Sequence, residues 1–396
     1  MHPSLVVLFL ALMLGIQPVT TDLYLPALPA ITEGFGASMA QAQLTFTALL
    51  LAFGISQLAW GPISDKYGRR PVLLVGLVAY VAASLGSVLA GSMDLLITWR
   101  AAQGVAMGAV VMCARAMTRD LYAPVEGARA MSKGLSGLGV IACVTAPLGG
   151  LLSDWWGWRA ALGALTVFGL LVLCLAALRF QETLKVRNPR ALQPAVLLRT
   201  WGEILRNSTF WAYALLTTAA YGVLFTFLAS SAFVFIKVLG LSKTQYGFVL
   251  AGMSLTYIAG TFICRRALVR YGVQRTVWLG AWLTLSGGIT LAALAASGVQ
   301  TFWAVALPMM PCILGHGVHQ SCGQSGSAGP FPQAAGAASA LSGFMMMLGA
   351  FAMGTWLGTH MDGTTRPLAY GVAFWAVLLA LVAWILVQRY GQQPKQ

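Results

Sequence analysis

Of the ten acidic residues in the sequence, Asp22 alone lies inside a long apolar run, whereas the others map to polar loops. A carboxyl group in a membrane-spanning segment is energetically costly and usually serves a function. Because such a group can take up or release a proton as its surroundings change, we interpret Asp22 as a proton-binding residue. The alternative is that the run ends early and Asp22 lies at the membrane surface. The apolar stretch LYLPALPAI, which follows directly, favours the first interpretation.

Two arginines lie in the fourth apolar run. At about 1.5 Å per residue, Arg100 falls at a similar depth to Asp22, so we expect these side chains to pair. Gln103, one turn further, is expected to hydrogen-bond to the same group. Alternatively, Arg100 only braces helices or extends towards the surface. Arg115, about 22 Å along the same helix, either extends to the cytoplasm or points into a cavity, where it would favour anionic, zwitterionic or strongly dipolar cargo.

A mixed set of aromatic, polar and methionine side chains is predicted to line a largely apolar substrate cavity. The set is Tyr24, Gln43, Gln103, Arg115, Tyr213, Tyr221, Phe225, Tyr257, His316, Gln320, Phe344 and Met346. Ordinary helix packing or contact with lipid is the alternative for many of these positions. His316 and His319 share a helix face, but no acid or cysteine cluster accompanies them, so we predict no metal site.

The sequence has no P-loop, no GxSxG and no HExxH motif. We therefore expect neither an enzyme nor a built-in ATP motor. Transport would then draw on an ion gradient, and a lone membrane carboxyl suits protons. No cofactor is expected.

The elements that position these residues must be membrane helices. Hydrophobic residues make up 58% of the 396 residues and charged residues 9%, whereas soluble domains carry roughly a quarter charged residues. The net charge of +14 would suggest a nucleic-acid partner in a soluble protein. Here the basic residues lie mainly in loops, so we predict a lipid bilayer as the partner and no nucleic acid.

Twelve apolar runs of spanning length predict an all-α membrane protein of twelve transmembrane helices in two pseudo-symmetric six-helix bundles. The runs lie at 4–31, 40–61, 71–91, 95–118, 129–152, 159–178, 209–236, 245–264, 276–297, 301–322, 334–358 and 367–388. The long polar stretch after the sixth run divides the chain into an N-terminal bundle at 1–178, a cytoplasmic linker at 179–207 and a C-terminal bundle at 208–396.

Loop charges predict the orientation. Of the 24 Lys and Arg residues, eighteen fall on the side of the two termini and four on the other, while two lie inside the fourth run. Because basic loops stay in the cytoplasm, both termini are predicted to be cytoplasmic.

The two halves also resemble each other. The loop GPISDKYGRR at 61–70 has a weaker counterpart, RRALVRYGVQR at 265–275, and aligning Tyr67 with Tyr271 places Val269 opposite Asp65. Internal repeats of this kind are expected of transporters built from two similar bundles.

Several motifs resemble those of a known family. The loop at 61–70 resembles the cytoplasmic signature of the major facilitator superfamily, and RAAQG at 100–104 resembles a motif of its drug:proton antiporters. APLGG at 146–150 is similar to the antiporter motif of the fifth span, with Ala146 in place of the usual glycine. The segments DLYLPALP at 22–29, RDLY at 119–122 and GAASAL at 336–341 are similar to the bicyclomycin/chloramphenicol-resistance (Bcr/CflA-like) branch.

The resemblance implies a major facilitator fold and a proton-coupled antiporter that exports small, largely apolar drugs or antibiotics by alternating access. It supports Asp22 and Arg100 as the proton-coupling residues. It also implies a cytoplasmic gate in which Asp65 meets the start of the eleventh span at Pro332 and Gln333. The gate residues are Gly61, Asp65, Gly68, Arg69, Arg70, Arg119 and Asp120. Their arginines also count as ordinary positive-inside charges.

Pro147, Gly149 and Gly150 of the antiporter motif are expected to bend the fifth span and allow close packing. We expect a monomer in the bacterial inner membrane. The alternative function is a proton-coupled exporter of an anionic or zwitterionic metabolite; the superfamily also contains importers, but the antiporter motif favours export.

Overall fold

The computed structural model describes residues 2–122, 124–184, 186–189, 191–331 and 334–391. Within these ranges, regular secondary structure is helical, and eleven helical segments are long and apolar enough to cross a membrane. The predicted spans at 245–264 and 276–297 form one run, Lys243–Ala296. Gly272 interrupts this run with φ 72° and ψ 176°, so two helices meet there at a bend. The prediction of an all-α membrane fold is confirmed.

The chain divides into two compact units. One comprises Met1–Leu198 and Ser242–Ala251, and the other comprises Arg199–Leu241 and Gly252–Gln396. The segment predicted as a linker contains a twelve-residue helix, Pro194–Leu205.

The first unit holds seven helices among its described residues. They are α1 Pro3–Asp22, α2 Leu28–Gly34, α3 Met39–Tyr67, α4 Arg69–Val88, α5 Met93–Leu121, α6 Pro124–Trp155 and α7 Trp158–Arg179. Helix α5 packs against α3 and α4, and α1 packs against both α5 and α6. The candidate residues of α1, α5 and α6 therefore lie on helices in direct contact.

The first span is not one continuous helix. Helix α1 ends at Asp22, and a 3₁₀ turn at Leu25–Ala27 leads into α2. Pro26 has no N–H group to donate to the carbonyl of Asp22, which is the bond that would continue the helix. The spanning segment nevertheless continues to Gly34, so Asp22 lies within it.

The helices that make up most of the second unit follow in chain order. The linker helix Pro194–Leu205 is α8, and α9 Ser208–Ala232 continues into a π-helical turn at Phe233–Val238. Next come α10 Lys243–Ala296, α11 Phe302–Ala328, α12 Ala335–His360, α13 Arg366–Leu381 and, after a second π-helical turn, α14 Val387–Tyr390. Helices α8 and α10 each begin in the first unit. Helix α9 packs against α11, α12 and α13, which makes it the centre of this bundle.

Candidate functional site

The Asp22 carboxyl lies at the last residue of α1, and its side chain is half-buried. The Thr21 hydroxyl donates to its Oδ1 at 2.8 Å. Within the part of the chain that the structure describes, no Lys or Arg forms an ion pair with Asp22. The predicted pair with Arg100 is therefore not formed.

Arg100 instead binds the main chain of α1. Its side chain is completely buried, and its Nη2 donates to the carbonyl oxygen of Thr20 at 3.2 Å. In a continuous helix that carbonyl would accept from the N–H of Tyr24, which here donates to Thr21. Carbonyl groups at a helix C-terminus lack helical partners and carry partial negative charge, so a buried cation suits this position. Arg100 therefore lies at the level of the end of α1, as expected. Its partner, however, is the carbonyl of Thr20 and not the carboxyl of Asp22.

Gln103 orients the guanidinium instead of binding Asp22. Its Oε1 accepts from Arg100 Nη1 at 2.7 Å, and its Nε2 donates to the Ser84 hydroxyl of α4 at 2.7 Å. Both side chains are completely buried. A hydrogen-bonded chain thus runs from α4 through α5 to the end of α1.

Aromatic rings complete the surroundings of Arg100. Its guanidinium lies over the Tyr24 ring, 4.2 Å from the ring centre, which is a favourable cation–π arrangement. The Tyr24 hydroxyl is hydrogen-bonded to Thr45 of α3. The Tyr80 hydroxyl lies 2.7 Å from that of Thr20, whose carbonyl binds Arg100. Tyr24 is therefore a buried packing residue in this structure, rather than the cavity wall that the sequence predicted.

The antiporter motif of α6 packs against the residue that follows Asp22. A Cβ atom placed on Gly149 would lie 2.5 Å from the carbonyl oxygen of Leu23, so no larger residue fits without movement. At the next residue, a Cβ atom placed on Gly150 would lie 2.5 Å from the carbonyl oxygen of Lys243. The motif thus brings three segments of the first unit into main-chain contact, one of them at the residue after Asp22.

Asp154, which the sequence predicts to lie in a loop, lies near the end of α6 and binds the start of α10 in the first unit. Its Oδ2 accepts from the main-chain N–H of Thr244 at 3.0 Å, and its Oδ1 lies 3.8 Å from Nζ of Lys243. An acid at a helix N-terminus is stabilised by the free N–H groups there. No local pattern in the sequence indicates this pairing across 90 positions.

Arg115 lies near the far end of α5. Its side chain is half-buried, and Nη1 donates to Oε1 of Gln57 on α3 at 3.3 Å. Gln57 is itself buried. No ion pair of Arg115 occurs among the described residues.

The predicted gate loop forms a charged cluster around Arg69. The guanidinium is buried; its Nε binds Oδ2 of Asp120 at 2.9 Å and its Nη1 binds Oδ1 of Asp65 at 2.6 Å. Gly68 joins α3 to α4 with φ 106°, which favours glycine. Arg119, expected to steady this cluster, is exposed and forms no ion pair within the described ranges. The predicted contact of Asp65 involves Pro332 and Gln333, which lie outside the described residues.

Glu182 completes this cluster and was not among the predicted site residues. Burial raises the pKa of its carboxyl, but four main-chain N–H groups donate to it, and together they hold the pKa below its usual range. The donors are Leu184, Arg69, Arg70 and Thr183, at 2.9 to 3.1 Å. Glu182 therefore caps α4 from a distant position in the sequence. The Arg70 side chain binds the carbonyl of Ala177 at 3.1 Å rather than an acid.

In the second unit, the two histidines singled out in the sequence are hydrogen-bonded to different helices. His316 Nδ1 donates to the carbonyl of Ala220 at 3.0 Å, and its ring lies 5.6 Å from the Tyr257 ring. His319 Nε2 donates to the carbonyl of Val277 at 3.2 Å. Their rings bind to α9 and to α10 respectively, so they form no common site.

Several other predicted cavity residues are buried. Tyr213 donates its hydroxyl to the carbonyl of Gly391 at 2.9 Å and so holds the end of the last helix instead of facing a substrate. Gln43, Tyr221, Phe225 and Met346 are also buried. Tyr257, Gln320 and Phe344 keep partly exposed side chains, so they remain compatible with the predicted cavity.

Comparisons with known proteins support the whole-chain resemblance. The chain is 29% identical to the chloramphenicol resistance protein of Pseudomonas aeruginosa, covering 91% of this chain and 84% of that protein. It is 31% identical to multidrug resistance protein D of Escherichia coli K12 (86% and 85% covered). It is 24% identical to a bicyclomycin resistance protein homolog of Haemophilus influenzae (97% and 96% covered).

Solved structures support the fold. A bacterial homolog of the human lysosomal transporter Spinster superimposes with a TM-score of 0.76 at 14% identity, covering 99% of both chains. A D-xylose–proton symporter gives 0.73 at 16% identity, covering 98% of this chain and 99% of the symporter. Residues 9–354 match the Major Facilitator Superfamily. The chain is a multi-pass membrane protein and belongs to the Major Facilitator Superfamily of transporters.

Proposed function

We propose that the protein is a proton-coupled antiporter that exports small, largely apolar drugs or antibiotics and that Asp22 binds the coupling proton. The relatives named for chloramphenicol, bicyclomycin and multidrug resistance support the cargo class. The RAAQG and APLGG motifs support antiport with protons.

The position of Asp22 is the observation that carries this proposal. Its carboxyl lies within a membrane-spanning segment, at a helix break, without a basic partner among the described residues. An ionised carboxyl in a membrane-spanning segment is energetically costly. Protonation or deprotonation of Asp22 therefore changes the free energy of shielding this part of the segment from water. A proton gradient can therefore drive the conformational change of the protein through protonation and deprotonation of Asp22.

Arg100 contributes to coupling as a positioning residue. It holds the Thr20 carbonyl and the Tyr24 ring, one on each side of Asp22 in sequence. A buried guanidinium fixed by Gln103 keeps the break in α1 at one place. Arg100 thereby sets the place of the carboxyl without neutralising it.

The cluster of Arg69, Asp65 and Asp120 is proposed to act in the cytoplasmic gate. Asp65 is the more exposed partner of Arg69, with 43% of its side chain accessible against 13% for Asp120. It can therefore exchange partners more readily, whereas Asp120 also accepts from Thr183 and serves as the fixed anchor.

The loop charges and the bacterial relatives support a location in the bacterial inner membrane with both termini in the cytoplasm. We propose a monomer that needs no cofactor beyond the proton gradient. The exporter of an anionic or zwitterionic metabolite is the weaker alternative, because the relatives are named for drug resistance.

Proteoliposomes with an imposed proton gradient test the proposal. Chloramphenicol accumulation by wild type is expected to collapse with the gradient, and Asp22→Asn is expected to lose gradient-driven accumulation while retaining drug exchange at equal pH. The control Asp94→Asn makes the same chemical change at an exposed residue in the first turn of α5 and should behave as wild type. Gradient-driven accumulation by Asp22→Asn at the wild-type rate would refute the role of Asp22.

A further inference from the structure

A cavity of about 640 Å³ opens at the surface of the second unit, where α10 bends at Gly272. Its walls include Tyr271, Arg275 and Trp278 from α10, and Gln388 from α14. The volume lies within the range of small-molecule sites. None of the residues proposed for proton binding lines it.

Hydrogen bonds between the two helices hold the cavity walls. Gln274 Nε2 donates to the carbonyl oxygens of Val387 and Gln388, at 3.2 and 3.1 Å. In return, Gln388 Nε2 donates to the carbonyl oxygen of Gln274 at 3.1 Å. These hydrogen bonds join α10 to α14 along the cavity wall.

The charge around the cavity favours an anion. Arg275 is the one charged residue in its described lining, and its guanidinium lies 5.6 Å from the centre of the Tyr271 ring. Three more arginines, at 265, 266 and 270, lie on the same helix, while the sequence has no acidic residue between Glu203 and Asp362 or after Asp362. Glu203 is already bound to Arg199 at 3.1 Å. The charge of the residues described around the cavity is therefore positive.

The internal repeat gives an independent indication. In the first unit, Glu182 supplies a carboxylate to the N–H groups of the two residues that follow Gly68. Gly272 is the aligned glycine of the second unit, but residues 363–396 contain no acidic residue that could take the part of Glu182. An anion from outside the chain can take this place.

Three tryptophans beside the cavity indicate where the rest of the ligand lies. Trp278 lines the cavity; it packs edge-on against Trp282 and at a tilt against Trp384, with ring centres 6.0 and 6.4 Å away. Trp278 and Trp282 are 39% and 50% exposed. Indole rings concentrate where the apolar membrane meets water, since they offer an apolar face and one N–H donor. A ligand with an anionic head and apolar chains matches this surface.

We propose that this cavity binds the headgroup of an anionic phospholipid, with Arg275 at the phosphate and the acyl chains against the tryptophans. Basic pockets on the cytoplasmic side of membrane proteins are suited to such headgroups. Inorganic phosphate would engage the arginine alone and gain nothing from the indole rings.

Purified protein titrated with dioctanoyl phosphatidylglycerol, dioctanoyl phosphatidylcholine and inorganic phosphate tests this, with bound lipid counted by native mass spectrometry. Wild type is expected to prefer phosphatidylglycerol over both other probes. Arg275→Gln should weaken that binding about tenfold, the effect of losing one charged hydrogen bond. Arg270→Gln is the matched control, because Arg270 lies 5.2 Å from the same Tyr271 ring but does not line the cavity.

Three outcomes would overturn the proposal. Equal binding of the two lipids excludes an anion-selective site. Equal weakening by both arginine variants indicates diffuse attraction, and competition by phosphate at the same concentration as lipid indicates a site for free anions. An unchanged melting temperature of Arg275→Gln, expected for an exposed residue, excludes misfolding as the cause of weaker binding.

Discussion

The guanidinium of Arg100 donates to the carbonyl oxygen of Thr20, two residues before the Asp22 carboxyl, and not to that carboxyl. The Thr20 carbonyl is available because the N–H of Tyr24 turns to Thr21 at the end of α1. Arg100 therefore stabilises a helix break, and the break sets the position of Asp22. The two charged residues are linked through the backbone of α1.

Replacement of Arg100 by lysine is expected to damage this arrangement although the charge remains. A lysine ammonium lacks the planar fork that reaches Thr20 and Gln103 together and that stacks on a ring. Loss of one buried charged hydrogen bond costs about 1.5–3 kcal/mol, so gradient-driven drug accumulation should fall about tenfold or more.

Arg159→Lys serves as the control, because Arg159 is exposed and stacks on the Trp158 ring at 4.1 Å. The two variants should be compared in proteoliposomes and by thermal unfolding in detergent. Wild-type transport by Arg100→Lys would show that charge alone suffices.

The depth of Arg100 and the spans themselves follow from the sequence, since hydrophobic length and helical rise fix them. The partner of Arg100 does not, because an open carbonyl exists only where a helix breaks. The sequence contains a sign of that break in Pro26, which removes a donor, but not its consequence for Thr20. We expected Arg100 to pair with the oppositely charged Asp22, but its partner is the backbone carbonyl of Thr20.

Contacts between segments that are far apart in the chain also could not be predicted from the sequence. Glu182 meets α4 across more than a hundred positions, and its local sequence differs little from that of any loop acid. The burial of Tyr213 likewise depends on its contact with Gly391, 178 positions away. Periodicity gives the helices, whereas these pairings depend on how the helices pack.

Gly149→Ala is expected to impair coupling through the backbone beside Asp22. The added Cβ would lie 2.5 Å from the carbonyl oxygen of Leu23 and 2.7 Å from its Cα, so α6 and the end of α1 must separate. Overpacking of this kind costs about 1–3 kcal/mol. Gradient-driven transport should fall more than drug binding.

Gly163→Ala on α7 is the matched control, since a Cβ at that glycine meets nothing within 4 Å. Drug binding by fluorescence quenching and gradient-driven accumulation should be measured for both variants. Equal behaviour of the two would mean that the Leu23 contact does not matter for transport.

Glu182 predicts a pH dependence of stability. Its pKa is lower in the folded protein than the ordinary value of 4.5, since four N–H groups bind its charged form. Its contribution is therefore fully present above about pH 4.5 and is lost as the pH falls through the lower, folded pKa.

Glu182→Ala should lower the free energy of unfolding by about 1 kcal/mol at neutral pH, as for other lost helix caps. The difference in melting temperature between wild type and variant should shrink as the pH is lowered from 7 to 3. Glu203→Ala, which removes an exposed acid from an i,i+4 pair, should give a small difference at pH 7. A pH-independent effect of Glu182→Ala would mean that packing, not the charge, stabilises the cap.

Arg115 is expected to select cargo by charge. Its guanidinium is half-buried and bound to the neutral side chain of Gln57 at 3.3 Å, and it forms no ion pair within the described chain. A guanidinium of this kind attracts an anionic or strongly dipolar ligand, because its charge is only partly solvated. Arg115→Gln should reduce transport of anionic drugs several-fold and leave neutral drugs such as chloramphenicol nearly unchanged.

Arg119→Gln provides the comparison one turn away, where the arginine is exposed. Initial rates for one anionic and one neutral drug should be measured in each variant, since the ratio of the two rates cancels differences in protein amount. A change in this ratio for Arg115→Gln alone supports cargo selection. The same change in both variants would point to the general surface potential, and no change in either would assign Arg115 to the packing of α5 against α3 through Gln57.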